Sequence, residues 1–398
     1  MADRHVDFLL IGGGVAAAHA ARGLDGHGSV LLVGREADPP YERPPLSKSY
    51  LAGRSSRTDA ELLPPGLDAD VLTRVSVMKL DTLERVARLS TKEEVSFGSA
   101  LVATGANVRR LRADGAADLD GIHYLRAFGN ADALREDALS AGRVVLIGGS
   151  YIGCELAATL TGLGVSCSLL MQEDVVLERV LGRTVGEWVQ RQLTERGVEV
   201  HGGDSLARFE GSDGRVERVV SEGGVVLEGG CVAIGAGVVP DVMLARAAGL
   251  ELGPLGGVAC SAGLETSAAG VYAAGDVAEW ESELQGGPAR VEHFEVAAGH
   301  GRVAAANMMG GSSAFDEVPY FWSDLGDWAT IEYVGVGIGS GEPVVRGSLE
   351  DDSFTAFYLD GARVVGAATV GRSGDLDEAR ELIAARAEPA RAELAELR

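Results

Sequence analysis

The chain contains very little lysine. Of its 398 residues, 35 are basic, and only Lys48, Lys79 and Lys92 are lysines. Acidic residues are far more numerous, so the formal net charge is −24. A chain this negative is not expected to bind nucleic acid, because binding to phosphates needs an excess of basic side chains. Lys48 therefore stands out, since it lies within a compact block, YERPPLSK.

Cysteines and long apolar runs are also scarce. The four cysteines form no CxxC pair and have no metal-ligand spacing, which predicts small buried residues in a reducing cytoplasm and no metal site: Cys154, Cys167, Cys231 and Cys260. No stretch reaches the ~18 apolar residues of a membrane-spanning helix. The first apolar run, residues 8–11, leads directly into glycines and does not resemble a secretory signal. We therefore expect a soluble cytoplasmic protein.

Glycine and apolar residues are abundant. The chain has 56 glycines, and 46% of its residues are hydrophobic. This composition favours an α/β protein with many tight turns between strands and helices. The length exceeds that at which one core usually stops growing, so we expect two or three domains.

A glycine-rich turn near the start is typical of dinucleotide binding. In VDFLLIGGGVAAAHAARGL, an apolar strand passes through Gly12 and Gly14 into a helix that contains Ala17. Gly12 allows the tight turn, Gly14 allows close approach of a pyrophosphate, and Ala17 allows close packing of helix and strand. The next strand leads to Glu36, 24 residues after Gly12, where an acid would bind a ribose hydroxyl.

The same pattern returns in GRVVLIGGSYIGCELAATLTGLGVSCSLLMQED, with Gly148, Ser150 and Gly153 in the turn. Two such folds indicate two dinucleotides. This copy departs from the pattern, because Ser150 replaces the second glycine and places a Cβ and a hydroxyl where backbone should meet phosphate. The following strand ends on Leu169 and Leu170 without an acid. A working nicotinamide site and a degenerate one both stay open.

Two further segments are typical of flavin binding. In TSAAGVYAAGDVAEW a strand runs into Asp276, whose carboxylate could accept hydrogen bonds from a polyol. In ALVATGANVRRL, Thr104 and Gly105 close another apolar strand.

Together these blocks resemble the two-dinucleotide flavoprotein reductases. Within them, PPYERPPLSK and VPYFWSDLGD resemble the ferredoxin and rubredoxin reductases that serve oxygenases, a branch that includes apoptosis-inducing factor. The resemblance covers essentially the whole chain. It implies an α/β fold with two Rossmann-like, glutathione-reductase-like domains and a small C-terminal α+β domain. The implied domains are FAD-binding (1–113 and 243–318), NAD(P)-binding (114–242) and C-terminal (319–398).

The resemblance implies a role for Lys48. In the family this lysine lies beside the reactive edge of the flavin and pairs with a glutamate that corresponds to Glu155. An ammonium there stabilises the negative charge that reduction places on the ring, and a carboxylate partner keeps the ammonium charged. A solvated loop lysine and a surface glutamate are the alternative interpretations.

Other positions follow from the same resemblance. Arg43 and Pro44 would lie along the FAD, with the guanidinium near the pyrophosphate. Asp276 would hold the ribityl or phosphate end of the FAD. Glu292, His293 and Trp322 match positions that pack near the isoalloxazine, although His293 could be structural and Trp322 could belong to an interdomain core. No cysteine lies within residues 37–60, where thiol-reducing relatives need one.

The predicted activity is that of an FAD-dependent NAD(P)H reductase that passes electrons to a ferredoxin-type iron–sulfur protein, often for a monooxygenase. One alternative is a flavoprotein with a degenerate nicotinamide site, which would act as a binding or regulatory module or use another electron donor. Another is a quinone or oxygen reductase. The sequence leaves NADH or NADPH, and monomer or homodimer, undecided; Arg179 and Arg183 are candidates for binding a 2′-phosphate.

Overall fold

The computed structural model describes residues 2–116 and 118–396, and the chain forms two compact units. Unit 1 comprises Met1–Glu42, Arg57–Asn107 and Val238–Pro319. Unit 2 comprises Arg43–Ser56, Val108–Gly237 and Tyr320–Arg398. The segment that carries Lys48 thus belongs to unit 2. The domain bounds at 113, 242 and 318 stay predictions.

The elements are numbered in chain order within the described residues. The strands β1 to β25 are Arg4–Ile11, Val30–Val33, Asp70–Leu72, Val77–Asp81, Val86–Leu89, Glu94–Val102, Ala106–Val108, Ile122–Tyr124, Arg143–Ile147, Ser166–Leu170, Glu199–His201, Leu206–Ser212, Arg215–Ser221, Val226–Glu228, Cys231–Ile234, Val238–Pro240, Val258–Cys260, Val271–Ala273, Ala278–Ser282, Gly287–Ala289, Tyr320–Leu325, Ala329–Gly335, Val344–Ser348, Ser353–Asp360 and Arg363–Val370. The helices α1 to α8 are Val15–Leu24, Phe128–Ala141, Tyr151–Gly162, Glu178–Glu195, Met243–Ala247, Phe294–Met308, Asp375–Ala384 and Arg391–Ala395. Short 3₁₀ turns are Pro44–Ser47, Thr58–Ala60 and Gly275–Val277.

Unit 1 is built on one large sheet. Its strands lie in the order β3-β2-β1-β6-β5-β4, and β18 pairs with β6. The pairs β1–β2, β1–β6 and β6–β18 are parallel. Helix α1 packs closely on α6, because its buried face consists of alanines and a Cβ on Gly301 would clash with the carbonyl oxygen of Ala16. These small residues thus bring the two helices together beside the first glycine turn.

Unit 2 contains a second parallel sheet and an antiparallel one. The parallel sheet has the order β11-β10-β9-β15-β8, and its central strand β9 ends at the second glycine turn. Residues 144–147 of β9 are all buried, as a strand covered on both faces requires. Two parallel sheets of this kind confirm the predicted α/β fold class.

The C-terminal part of unit 2 is an antiparallel sheet in the order β21-β22-β25-β24-β23. In SFTAFYLDGARVVGAATV the sequence predicts two strands around an Asp360-Gly361 turn. The strands are present as β24 and β25, although the two-residue loop is Gly361 and Ala362, one position later. The segment LDEARELIAARA predicts a final amphipathic helix, which is present as α7. Tyr358 of β24 donates to the carbonyl oxygen of Leu181 at 2.6 Å, which ties this sheet to α4. The C-terminal sheet therefore shares a core with the second parallel sheet.

Candidate functional site

The first glycine turn has the geometry that a phosphate-binding turn needs. Gly12 has φ of +128°, and a Cβ there would clash with the carbonyl oxygen of Ala103. Gly14 is the N-cap of α1, and a Cβ there would have no protein atom within 4 Å. Ala17 is fully buried against the sheet. Gly12 is thus required by the fold, whereas the space beside Gly14 is open to a ligand at the positive end of the helix.

The predicted ribose-binding acid lies just past the second strand. Glu36 follows β2 by three residues and is half-buried. The hydroxyl of Tyr41 donates to Glu36 Oε2 at 2.6 Å. Tyr41 is itself 2% exposed, so it fixes the orientation of the carboxylate. Sequence analysis assigned no role to Tyr41, although this tyrosine begins the block that holds Lys48.

The segment around Asp276 lies next to the first turn. Asp276 is in the 3₁₀ turn Gly275–Val277, and a Cβ on Gly275 would lie 3.4 Å from the Cβ of Ala16. The amide of Gly275 donates to Nδ1 of His300 on α6 at 3.3 Å. Burial lowers the pKa of His300 to about 3, so the ring is neutral and Nδ1 can accept. His300 therefore fixes the turn that carries Asp276, a role that sequence analysis missed.

Thr104 and Gly105 close β6 as predicted. The hydroxyl of Thr104 donates to the carbonyl oxygen of Asp241 at 2.8 Å, and the amide of Asp241 donates to the carbonyl oxygen of Gly105 at 2.8 Å. These bonds join the end of β6 to the later part of unit 1. The open cradle at Gly14, with Glu36 and Asp276 nearby in the same unit, fits a bound FAD.

The second glycine turn repeats this geometry with one difference. Gly148 has φ of +104°, and a Cβ there would lie 2.5 Å from the carbonyl oxygen of Gly235. A Cβ on Gly153 would clash with the carbonyl oxygen of Gly148, so Gly153 allows helix and strand to pack. Ser150 is the N-cap of α3: its hydroxyl donates to the carbonyl oxygen of Gly235 at 2.8 Å and accepts from the amide of Gly153 at 3.4 Å. The hydroxyl that we expected to obstruct phosphate is therefore engaged with the protein.

Acids and arginines pair with each other in the loop after β10. Met171, the first residue after the strand, is 2% exposed, and its sulfur lies against Gly149 of the turn. Arg179 pairs with Glu173 at 2.5 Å. Arg183 pairs with Glu178 at 2.8 Å and with Asp174 at 3.2 Å. Both candidate arginines for a 2′-phosphate are thus bound to carboxylates.

Lys48 lies in a cluster of charged and hydroxyl groups within unit 2. Its Nζ is 3.1 Å from Glu155 Oε1 and 3.6 Å from Asp324 Oδ2, and its side chain is 14% exposed. The same ammonium lies 5.7 Å from the ring centroid of Trp322. Glu155 is 4% exposed although it is on a helix. The interpretations of Lys48 as a solvated loop residue and Glu155 as a surface residue are therefore wrong.

Two serines complete the cluster, and sequence analysis missed both. Ser47 donates to Glu155 Oε2 at 2.5 Å, and Ser323 donates to Glu155 Oε1 at 2.7 Å. Their only signal in the sequence is position, since each adjoins a residue that the resemblance had singled out, Lys48 or Trp322. Sequence analysis also missed Asp324, which lies two residues after Trp322 in the block VPYFWSDLGD.

The remaining predicted residues are placed as follows. Pro44 begins the 3₁₀ turn before Lys48, and Arg43 donates to the carbonyl oxygen of Arg126 at 2.5 Å. In unit 1, Glu292 pairs with Arg290 at 2.5 Å. His293 is the N-cap residue of α6, and burial lowers its pKa to about 4. The roles of these residues toward FAD stay predictions.

All four cysteines are free and buried, as predicted. Burial raises the pKa of Cys167 to about 11 and the pKa values of Cys231 and Cys260 to about 12. It raises the pKa of Cys154 further still. These thiols are therefore protonated, and protonated thiols are poor nucleophiles.

Comparison with known proteins agrees with this site. A family profile described as pyridine nucleotide-disulphide oxidoreductase matches residues 6–301, and one described as reductase C-terminal matches residues 320–398. The chain belongs to the pyridine nucleotide-disulphide oxidoreductase family. It is an NAD(P)H-dependent oxidoreductase that uses FAD.

Individual relatives fall in one branch. The chain is 34% identical to the ferredoxin–NAD(+) reductase component of the anthranilate 1,2-dioxygenase system of Burkholderia cepacia, over 98% of this chain and 97% of that protein. It is 32% identical to putidaredoxin reductase of Pseudomonas putida, over 94% and 91%. A solved ferredoxin reductase of the CYP199A2 system from Rhodopseudomonas palustris has a TM-score of 0.93 at 29% identity, over 98% and 97%. The predicted family is confirmed.

A covalent complex of putidaredoxin reductase with putidaredoxin is also similar, with a TM-score of 0.92 at 30% identity, over 100% of this chain and 96% of that one. Within residues 2–116 and 118–396, no helix combines the length and apolar character needed to cross a membrane. In the same residues, no group of three or more His, Cys, Asp or Glu side chains could hold a metal ion.

Proposed function

We propose that this protein carries electrons from NADH or NADPH through FAD to a ferredoxin-type iron–sulfur protein that serves a monooxygenase. The observation that carries the proposal is the buried pair of Lys48 and Glu155, 3.1 Å apart, in a chain with two dinucleotide turns. The ferredoxin reductases named above match the chain over nearly its whole length, which supports a protein acceptor.

We propose that the two ends of the FAD are held by different groups of unit 1. The open start of α1 at Gly14 would receive the pyrophosphate, and Glu36 would bind the adenosine ribose. Asp276, on the turn fixed by His300, would accept hydrogen bonds from the ribityl hydroxyls. When bound, the flavin accepts a hydride from the nicotinamide and releases electrons singly to the acceptor.

Lys48 would act as the electrostatic group of this reaction. The side chain of Lys48 is 14% exposed and is held in place by its ion pair with Glu155. Its positive charge would stabilise the negative charge that reduction places on the ring, while Trp322 covers the ammonium from one side.

An acceptor with an acidic surface would need a local basic patch, because the whole chain carries a charge of −24. Arg109, Arg110 and Arg112 are exposed, and the guanidinium of Arg110 lies 5.3 Å from the ring centroid of Tyr124. We propose that these arginines form such a patch. We also propose a cytoplasmic location, supported by four reduced, buried thiols.

The test is anaerobic. Purified holoprotein is mixed with NADH or NADPH while flavin bleaching is followed by stopped flow, and a ferredoxin is then added at low and high salt. We expect rapid, saturable bleaching and ferredoxin reduction that weakens with salt. A flavin that stays oxidised with both nucleotides would favour the alternative of a degenerate nicotinamide site. A flavin that is reduced by a nucleotide but passes electrons only to quinone or oxygen would reject ferredoxin as the acceptor.

A further inference from the structure

The carboxylate of Glu155 is held by hydroxyl groups as well as by Lys48. Ser47 Oγ donates to Oε2 at 2.5 Å, and Ser323 Oγ donates to Oε1 at 2.7 Å, the oxygen that also faces Lys48. Each oxygen therefore has its own hydroxyl donor. Hydrogen bonds to an ionised group are among the stronger ones in proteins, and with one donor on each oxygen the carboxylate cannot rotate freely.

The two serines are themselves fixed. The carbonyl oxygen of Ser47 accepts from Thr159 Oγ1 at 2.7 Å, and Thr159 lies one helical turn after Glu155 on the same face of α3. Ser323 is 1% exposed and pairs with Ile331 in the antiparallel sheet. Both serines are thus buried, so neither hydroxyl has water as an alternative partner at its present position.

Orientation matters because Lys48 has a second carboxylate within reach. Asp324 Oδ2 lies 3.6 Å from Nζ, while Thr330 donates to Oδ1 at 2.6 Å and anchors that side chain. A Glu155 carboxylate that rotated away would leave the ammonium to move toward Asp324, which is 30% exposed. The position of the charge thus depends on the donors to Glu155.

We infer that Ser47 and Ser323 are positioning residues, which orient Glu155 so that it holds Lys48 in place for its action on the flavin. Only the last step, the action of Lys48 on the flavin, rests on the proposed function. The step from the serines through Glu155 to Lys48 is supported by contacts within unit 2.

The first experiment uses the rarity of lysine. Only Lys48, Lys79 and Lys92 carry an ε-amine, and the side chain of Lys79 is 71% exposed. Folded protein is treated briefly with acetic anhydride, and acetylation of Lys48 relative to Lys79 is measured by mass spectrometry. We expect this ratio to rise about tenfold or more in Ser47→Ala and in Ser323→Ala, since a hydrogen bond to a charged group changes an equilibrium by about that factor.

The controls separate position from general stability. Ser323→Thr keeps a hydroxyl and should retain most of the protection of Lys48. Ser168→Ala removes another buried serine that donates to a carboxylate, Glu199 Oε2 at 2.8 Å, and should leave the ratio unchanged. If Ser47→Ala does not fold, Thr159→Val loosens Ser47 through its carbonyl group alone and should raise the ratio. A ratio in both alanine variants equal to that of Ser168→Ala would overturn the inference.

The second experiment measures the flavin midpoint potential of the holoproteins. Glu155→Gln removes a negative charge beside Lys48 and should raise the potential, whereas the two serine-to-alanine variants let the ammonium move toward Asp324 and should lower the potential by a smaller amount. Greater acetylation of Lys48 with an unchanged potential in the serine variants would overturn their role toward the flavin. Failure of the wild-type protein to reduce a ferredoxin would count only against the proposed function, because both measurements are made without an acceptor.

Discussion

The two glycine turns of this chain have the same backbone but different helix starts. In the first turn, α1 begins at Gly14, where no side chain makes a capping hydrogen bond and a Cβ would meet no atom within 4 Å. In the second, α3 begins at Ser150, whose own oxygen accepts from the amide of Gly153. The amides of a helix start need partners; at the second turn the protein supplies one of them, whereas at the first turn we expect a ligand to do so.

This difference matches the use of the two turns. A turn that leaves its amides to the ligand suits a cofactor that stays bound, which is the part of FAD. A turn that satisfies one amide by itself can stand open between turnovers, which suits a nucleotide that binds and leaves. We therefore propose that Ser150 is compatible with a working nicotinamide site, because its hydroxyl is engaged with the protein at Gly235 and Gly153.

The largest effect is expected from Gly12→Ala. The new Cβ would clash with the carbonyl oxygen of Ala103, and φ of +128° is strained for alanine. We expect the protein to lose its bound flavin, measured as the ratio of absorbance near 450 nm to absorbance at 280 nm. A Gly14→Ala variant is the matched control, because its Cβ meets no protein atom, so it should fold and only weaken FAD binding. Full flavin content in Gly12→Ala would contradict this account of the first turn.

Gly148→Ala should break the second turn alone. Its Cβ would lie 2.5 Å from the carbonyl oxygen of Gly235, which directly follows β15 in unit 2. We expect flavin content to stay near that of the wild type while reduction by NAD(P)H slows by roughly a hundredfold, as when about 3 kcal/mol of binding is lost. Stopped-flow bleaching measures this rate. Loss of flavin in this variant would show that the two turns are not independent.

Acid should destabilise unit 1 through its buried histidines. Burial lowers the pKa of His293 to about 4 and that of His300 to about 3, from an ordinary value of 6.5. The folded state therefore binds these protons less readily than the unfolded state. Stability is complete above pH 6.5 and falls by about 1.4 kcal/mol per pH unit for each histidine as pH decreases from there toward the folded pKa.

Denaturant unfolding at pH 7.0 and pH 5.0, followed by release of flavin fluorescence, measures this loss. His300→Gln keeps an acceptor for the amide of Gly275 but cannot titrate, so its stability should decrease about half as steeply with falling pH. An identical slope in wild type and variant would mean that His300 is not the buried group responsible.

The smallest effect is expected from Ser150→Gly. Glycine at an N-cap costs only a few tenths of a kcal/mol, and the amide of Gly153 becomes available to a phosphate. We expect KM for the nucleotide to fall about two- to fivefold, since one additional hydrogen bond is worth about 1 kcal/mol or less. Ser150→Ala should instead lower stability by about 1 kcal/mol because the cap is lost. A higher KM in Ser150→Gly would mean that the serine hydroxyl itself binds the nucleotide.

The sequence predicted the elements that depend on neighbouring residues. The turns at Gly12 and Gly148, the strands before them and the hairpin near Gly361 follow from local patterns of glycine and apolar residues, and the structure has all of them. The fold class follows from their order along the chain. The family resemblance added Lys48 and Glu155, which no local pattern connects.

Contacts between distant residues could not be predicted in this way. Ser47 and Ser323 meet at Glu155 although they are separated by most of the chain, and a buried serine has no pattern of its own. The hydroxyl of Ser150 was expected to face the ligand but bonds to the protein instead. The sequence could not predict this, because it specifies the residue type but not the rotamer. His300 fixes the turn of Asp276 from another helix, and a single histidine in sequence is more often structural.

The buried cysteines have a consequence for how turnover is counted. A nucleotide delivers electrons in twos, whereas an iron–sulfur centre takes them one at a time. A pair of redox-active thiols could store two electrons, but all four thiols of this chain are buried, and burial raises their pKa values. The flavin must therefore act alone as the two-to-one converter, and each nucleotide oxidised requires two separate visits by the acceptor. After the first transfer the flavin still holds one electron and must wait for a second acceptor molecule. Rapid dissociation of the first acceptor, once reduced, therefore matters as much for the turnover rate as tight binding.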